Sequence, residues 1–241
     1  MLDIVSQLRR SLPDADPQEA ARLLVATSAA LGFDYVAMAE HGDLADPQRA
    51  LLLICSYPEK WQHRFISGRL DRIDPVQQAC TTRASGFSWS ALGDLVTLRP
   101  QQCALLEDGW RHGLRDGFTV PLHLPGARAA SCSFVVNTGS VPGDALFAAE
   151  QVARIVYDHL RTLPHAIDVA PHLSPRQRAC VALMATGLTD RGIARRLTLS
   201  EETVTKYLNA ARRRYGVARR TQLVALALRD GLIGYEDIAL D

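Results

Sequence analysis

The run from Ser200 to Gly216 constrains this chain most. Ser200-Glu201-Glu202-Thr203 is a helix start: a serine able to cap free backbone N–H groups, followed by acidic side chains where the helix dipole favours them. Val204, Leu208, Ala211 and Tyr215 recur at helical spacing and predict an apolar stripe. The opposite face carries Thr205, Lys206, Asn209, Arg212 and Arg213, with no carboxylate after Glu202. A helix that lies in the major groove of DNA needs this division, one face held by a small core and the other offering donors, acceptors and cations. Gly216 fits the C′ position that closes such a helix.

The neighbouring residues complete a helix-turn-helix. Ser174-Pro175 is a cap followed by proline at the first helical position, and the predicted helix from Arg176 to Thr186 stops at Gly187. Asp190 to Leu197 reads as a short second helix with Ile193 and Leu197 inward, and Thr198-Leu199-Ser200 as the turn. Arg219 to Asp230 reads as a fourth helix, with Leu223, Val224, Ala227 and Leu228 available for packing or pairing. A basic helical bundle with no nucleic-acid role is the bland alternative, but polarity, turn and charge agree on a recognition helix. Thr205, Lys206 and Asn209 are candidates for base edges; Thr189, Thr203, Arg212 and Arg213 are candidates for phosphates.

Residues 173–233 resemble the C-terminal DNA-binding domain of LuxR-type, or GerE-type, regulators. The matching pieces are Leu173-Ser174-Pro175-Arg176, Gly187-Leu188-Thr189, Ile193-Ala194, Ser200 to Leu208, and Gly216-Val217 followed by Arg220-Thr221-Gln222. Gln177 stands where the family usually has glutamate, and Val181 where it has leucine. Both keep the helix, but a salt bridge made by that glutamate would be absent, at a modest expected cost in stability.

Charge is placed to match. Of the net +1, residues 172–241 carry 12 Arg and Lys against 7 Asp and Glu, a surplus of +5, leaving −4 on residues 1–171. A polyanionic partner therefore belongs at the C-terminal end. The 5 cysteines are odd in number and scattered, without metal-ligand pairs, which fits reduced thiols and a cytoplasmic protein without a metal or cofactor. No signal-length apolar segment and no run approaching a membrane span is present.

Along the first part of the chain, Asp16-Pro17-Gln18-Glu19 reads as a capping box opening a helix through Ala30. Asp34 to Ala39 reads as a strand, and the wholly apolar Leu51 to Cys55 as a second, central one. Helices are expected over Pro58 to Ile66, Pro75 to Arg83, Gln101 to His112 and, long and amphipathic, Asp144 to Arg161. Strands are expected over Gly117 to Leu122 and Ala130 to Asn137. The expected fold is α+β: an N-terminal α/β/α sandwich with an antiparallel sheet over residues 1–162, a linker at 163–172, and an all-α four-helix helix-turn-helix domain over 173–241.

Tyr57, Trp61 and Phe65 are four apart and share one helical side; Asp74-Pro75 and Trp89 follow. Two readings stand open. One is an aromatic stripe docking a helix on the core, with Asp74 an ordinary N-cap. The other is a pocket, because buried Tyr and Trp need partners for O–H and N–H and a buried carboxylate needs a donor, and a small amphipathic ligand would supply all three.

Residues 57–75, with Trp89 and Gly117 to Pro121, resemble the autoinducer-binding domain of quorum-sensing LuxR-type receptors, so the resemblance spans nearly the whole chain. It implies a transcription factor that binds an N-acyl-homoserine lactone. By that resemblance Trp61 donates to the lactone carbonyl, Asp74 accepts from the amide N–H, Tyr57 and Ser133 bind the amide carbonyl, and Trp89 packs on the lactone ring. Thr119 is a further pocket candidate. The resemblance also implies a homodimer formed through the Asp144 to Arg161 helix, double-stranded operator DNA as partner, and contact with RNA polymerase. Phe65 replaces the family's usual tyrosine, and Gln62 stands where some relatives carry an arginine that recognises a 3-oxo group. The expectation is therefore an unsubstituted, aryl or branched acyl tail. Three rivals are weighed: a receptor for an exogenous or non-lactone molecule, a phospho-acceptor response regulator, and an enzyme. Lys60 is the one lysine before the C-terminal module and sits on a predicted helix, against a response regulator. No G-x-S-x-G, P-loop or H-E-x-x-H motif favours catalysis.

Overall fold

The computed structural model describes residues 2–42, 52–124, 128–163, 173–230 and 232–238. The chain divides into two compact units, the first made of residues 1–123 and 129–168 and the second chiefly of residues 169–241. The expected linker lies, apart from Leu163, outside the described residues.

The first unit opens with two helices, α1 (Leu2–Ser11) and α2 (Pro17–Ala30). Asp16 caps α2 by accepting from the Glu19 N–H at 2.8 Å. The Glu19 carboxylate turns to Arg22 instead of reaching back, so only half of the expected capping box forms. Five strands follow in an antiparallel sheet: β1 (Tyr35–Glu40), β2 (Leu53–Cys55), β3 (Phe87–Ser88), β4 (Asp116–Leu122) and β5 (Ala130–Val136), in the order β2-β1-β5-β4-β3. The apolar run read as a central strand is thus an edge strand, paired with β1. Its two-sided apolarity has another cause: Ile54 packs in the main core, whereas Leu53 and Cys55 line a cavity on the other side.

Alternation along the strands sorts the sheet into two faces. Val36, Met38, Cys132 and Phe134 point to one side, where α1, α2 and the long α7 (Leu146–Thr162) cover them with Leu8, Leu24, Val152, Val156 and Tyr157. Glu40, 1 % exposed, enters this layer paired with Arg161 of α7 at 3.3 Å. Tyr35, Ser133 and Val135 face the other side. It is covered by α3 (Glu59–Ser67), α4 (Pro75–Cys80), α5 (Leu92–Leu95) and α6 (Pro100–Arg111). The sheet therefore lies between two helical layers, as an α/β/α sandwich.

The second unit is helical: α8 (Pro175–Ala185), α9 (Asp190–Leu197), α10 (Glu201–Arg214) and α11 (Arg220–Arg229). Its core joins Cys180, Val181 and Met184 to Ile193, Val204, Leu208, Ala211, Leu223 and Ala227. Each fully buried aliphatic side chain of Val or Leu size contributes about 1.5–3 kcal/mol. Gln177 takes over the capping role at α8: its side chain accepts from Ser174 N–H at 3.0 Å while Ser174 Oγ accepts from Gln177 N–H at 3.3 Å. Between α9 and α10, Thr198 turns the chain in the left-handed region at φ 55°.

Candidate ligand pocket and nucleic-acid face

Between the sheet and the α3–α6 layer lies a cavity of about 130 Å³. Its sheet side is formed by small or short residues, Ala37, Ala39, Cys55, Ser131 and Ser133, and small side chains there leave the space empty. The helices supply bulk: Trp61, Phe65 and Ile66 from α3, Val76 from α4, and Leu105 and Leu106 from α6. Trp61 and Phe65 are one turn apart with ring centroids 6.0 Å apart, and Trp61 is only 5 % exposed. Trp110, 55 % exposed, sits at the rim.

Few polar groups interrupt this surface. Asp74 is the one carboxylate on the wall among the described residues. It caps α4, accepting from Val76 N–H at 2.8 Å, and lines the cavity at once, so the two readings of Asp74 are compatible. Burial raises its carboxyl to about 6 despite the bonds from Val76 and Gln77 N–H, and Asp71 adds to the rise. Burial likewise lifts the Tyr57 hydroxyl well above its ordinary range, although a bond with Ser133 opposes this. Trp89 donates its indole N–H to Thr119 at 2.8 Å, and Thr119 and Ser133 share a hydrogen bond at 2.8 Å. A chain of polar contacts thus runs Trp89–Thr119–Ser133–Tyr57 across the floor. The Trp61 indole N–H has no hydrogen bond among the described residues. Gly117 makes room for Trp89, since a Cβ there would lie 2.6 Å from the ring.

In the second unit α10 buries Val204, Leu208 and Ala211 and leaves Thr205, Lys206 and Arg213 exposed, with Asn209 and Arg212 half-buried. Ser200 caps the helix by accepting from Thr203 N–H at 3.1 Å. Lys206 pairs with Glu202 at 2.8 Å across fully solvated surface, an interaction worth little. Arg212 donates to the Asn209 side chain at 3.4 Å. Thr189 caps α9, accepting from Gly192 N–H at 3.3 Å. Asp190 accepts from the Thr205 hydroxyl at 2.7 Å and pairs with Arg220. Burial alone would push the Asp190 carboxyl up; the bonds from Thr205 and Arg220 outweigh it and hold the group below the usual carboxylate value.

Residues 16–160 match the autoinducer binding domain family, and residues 171–227 the luxR family of bacterial regulatory proteins. The chain belongs to the LuxR family. Among its relatives is the transcriptional activator protein BjaR1 of Bradyrhizobium diazoefficiens, 28 % identical over 192 residues, 76 % of each chain. Another is the transcriptional activator protein TraR of Rhizobium radiobacter, 26 % identical over 191 residues, 77 % of this chain and 81 % of that one. The fold is shared with Escherichia coli SdiA at a TM-score of 0.75 and 24 % identity, over 95 % of this chain and 97 % of that one. This LuxR-family protein is a quorum-sensing transcription regulator with an autoinducer-binding and a DNA-binding domain, and not an enzyme.

The LuxR-family pocket gathers most, not all, of the residues singled out from sequence. Tyr57, Trp61, Phe65, Asp74, Trp89 and Ser133 line it. Thr119 stands one layer back, bonded to Trp89 and Ser133, because β4 presents it behind those side chains. Pro75 is buried at the first position of α4, off the cavity wall. Ser131, Gln77 and the α6 leucines line the cavity without having been foreseen. Alternation from Ser133 could have indicated Ser131; the α6 residues carry no local signal, since their role depends on how α6 crosses the sheet.

Proposed function

We propose that this LuxR-family regulator binds an N-acyl-homoserine lactone in the first unit and, as a homodimer, a two-fold-related operator through α10. The observation that carries the ligand reading is the Trp61 indole and the Asp74 carboxyl on the wall of an otherwise apolar cavity. A donor-only indole suits a lactone carbonyl, and an acceptor carboxylate suits an amide N–H. Tyr57 and Ser133 offer hydroxyls for the amide carbonyl. The Gln62 amide is held by the Tyr57 carbonyl at 2.6 Å, and Phe65 brings no hydroxyl. Both favour a tail without a 3-oxo group. In the second unit, the exposed Thr205, Lys206 and Arg213 with the half-buried Asn209 support a face for DNA.

The experiment is thermal unfolding of the purified protein against a panel of N-acyl-homoserine lactones varied in length, branching, aryl content and 3-position chemistry. A selective rise is expected, larger for unsubstituted than for matched 3-oxo members, and lost in Trp61→Phe and Asp74→Ala. Folded protein that responds to no member would shift the reading to a non-lactone signal. A larger rise with 3-oxo members would sink the tail assignment. Dimer formation is checked by sedimentation with and without the responding lactone.

A further inference from the structure

Asp190, at the first position of α9, ties three helices together. One carboxylate oxygen accepts from the Thr205 hydroxyl of α10 at 2.7 Å, and the other pairs with Arg220 at the start of α11. Thr205 is exposed and lies in the N-terminal half of α10, the part of a recognition helix that meets base edges. An ionised carboxylate has no proton to give, so Thr205 must be the donor in this bond. A hydroxyl carries one proton. With that proton held by Asp190, the Thr205 oxygen offers only lone pairs to a further partner. Arg220, 44 % exposed beside a carboxylate that is 14 % exposed, is a cation already paired.

We propose that Asp190 is a positioning residue that sets base preference: by holding the Thr205 proton it makes Thr205 an acceptor-only reader. Such a reader is selective for a base edge with an exocyclic amine, adenine N6 or cytosine N4, over guanine O6 or thymine O4. Through Arg220 it also restrains sequence-independent attraction to phosphates. The inference rests on α10 being the DNA-reading helix.

The test selects binding sites from a random duplex library with the full-length protein, in the presence and absence of N-octanoyl-homoserine lactone. Wild type, Asp190→Ala and Thr205→Val are compared, and affinities are then measured over a range of salt. In wild type, one position of each half-site favours A or C over G or T by at least about fivefold, the lower end of what one base contact supplies. Asp190→Ala frees the Thr205 proton, so the preference at that position collapses. The salt dependence steepens by about one unit as Arg220 becomes available to a phosphate. Thr205→Val, a solvent-exposed change that leaves the helix core untouched, collapses the same position without steepening the salt dependence. A role confined to bracing the helices would lower the melting temperature of Asp190→Ala and leave base preference intact, which overturns the proposal. So would a Thr205→Val protein whose selected sites match wild type. A wild type that enriches no sequence in either condition fails earlier, by removing α10 as the reading helix, and the inference falls with it.

Discussion

Asp74 sits in the cavity wall with its carboxyl raised to about 6 because burial disfavours the charge more than the Val76 and Gln77 N–H groups favour it. A carboxyl raised in the folded state keeps a proton that the unfolded chain has released. Stability therefore falls as pH rises from about 4 to about 6, by on the order of 3 kcal/mol in total. A ligand N–H reverses the balance, because it favours the ionised form and lowers the carboxyl in the complex. Affinity for an amide ligand should accordingly rise from about pH 5 to about pH 7, with proton release on binding, and Asp74→Asn should flatten the profile. Calorimetric titration across that range checks it; a flat wild-type profile would take Asp74 out of the site. At Gly117 the constraint is steric. A Cβ 2.6 Å from the Trp89 ring forces that side chain off β4 and breaks its bond to Thr119. Gly117→Ala should cost about 1–3 kcal/mol and blunt the ligand response; an unchanged melt and response would mean that Trp89 has a second seat. Trp61 and Phe65 were legible because spacing of four fixes a shared helical side. Tyr57 lies ahead of α3 and reaches the cavity from the segment before it, so helical spacing was not what placed it there. Thr119 was not placed correctly, since whether a strand residue reaches a cavity depends on what stands in front of it.

Within α10, division of labour follows from exposure. Asn209 is half-buried and held by Arg212, so its amide is oriented before DNA arrives, whereas Arg213 is exposed. Asn209→Ala should change which sequences are preferred, and Arg213→Ala should weaken operator and random DNA alike while making binding less salt-dependent by about one unit. Competition binding with both kinds of duplex separates the two; equal losses in both mutants on both duplexes would contradict the assignment. Helices of this unit could be read closely from the chain because their signals are local. Ser174, Thr189 and Ser200 each cap the helix that follows, and Gly187 and Gly216 adopt positive φ at 89° and 63°. The strand β2 could not be read the same way. Apolar residues on both sides announce burial on both sides, but a second sheet neighbour and a cavity wall produce the same pattern. Likewise α4 ends at Cys80, short of the predicted Arg83, because nothing at its end but tertiary packing marks the stop.

For the whole molecule, ligand binding stabilises whichever unit holds the cavity, by about 2.7 kcal/mol at a hundredfold excess over the dissociation constant. All 3 tryptophans, Trp61, Trp89 and Trp110, belong to the first unit. Tryptophan fluorescence therefore follows that unit alone, while far-ultraviolet dichroism follows both. In the melting experiment above, a responding lactone should raise the fluorescence transition, and any separate dichroism transition of the second unit should stay where it was; a rise confined to the latter would place the ligand elsewhere. The sequence alone determined the helix starts and stops of the second unit, the two faces of α10, the charge surplus of the C-terminal end and the aromatic side of α3. All of these follow from residues within a turn or two of one another, where backbone geometry is fixed in advance. Only the tertiary structure decided that β2 is an edge strand, that Ala37, Ala39, Ser131 and Ser133 open a space beneath Trp61, and that Asp190 meets Thr205 and Arg220 from two other helices. Those outcomes depend on strand order and helix crossing, which bring together residues that no local pattern relates.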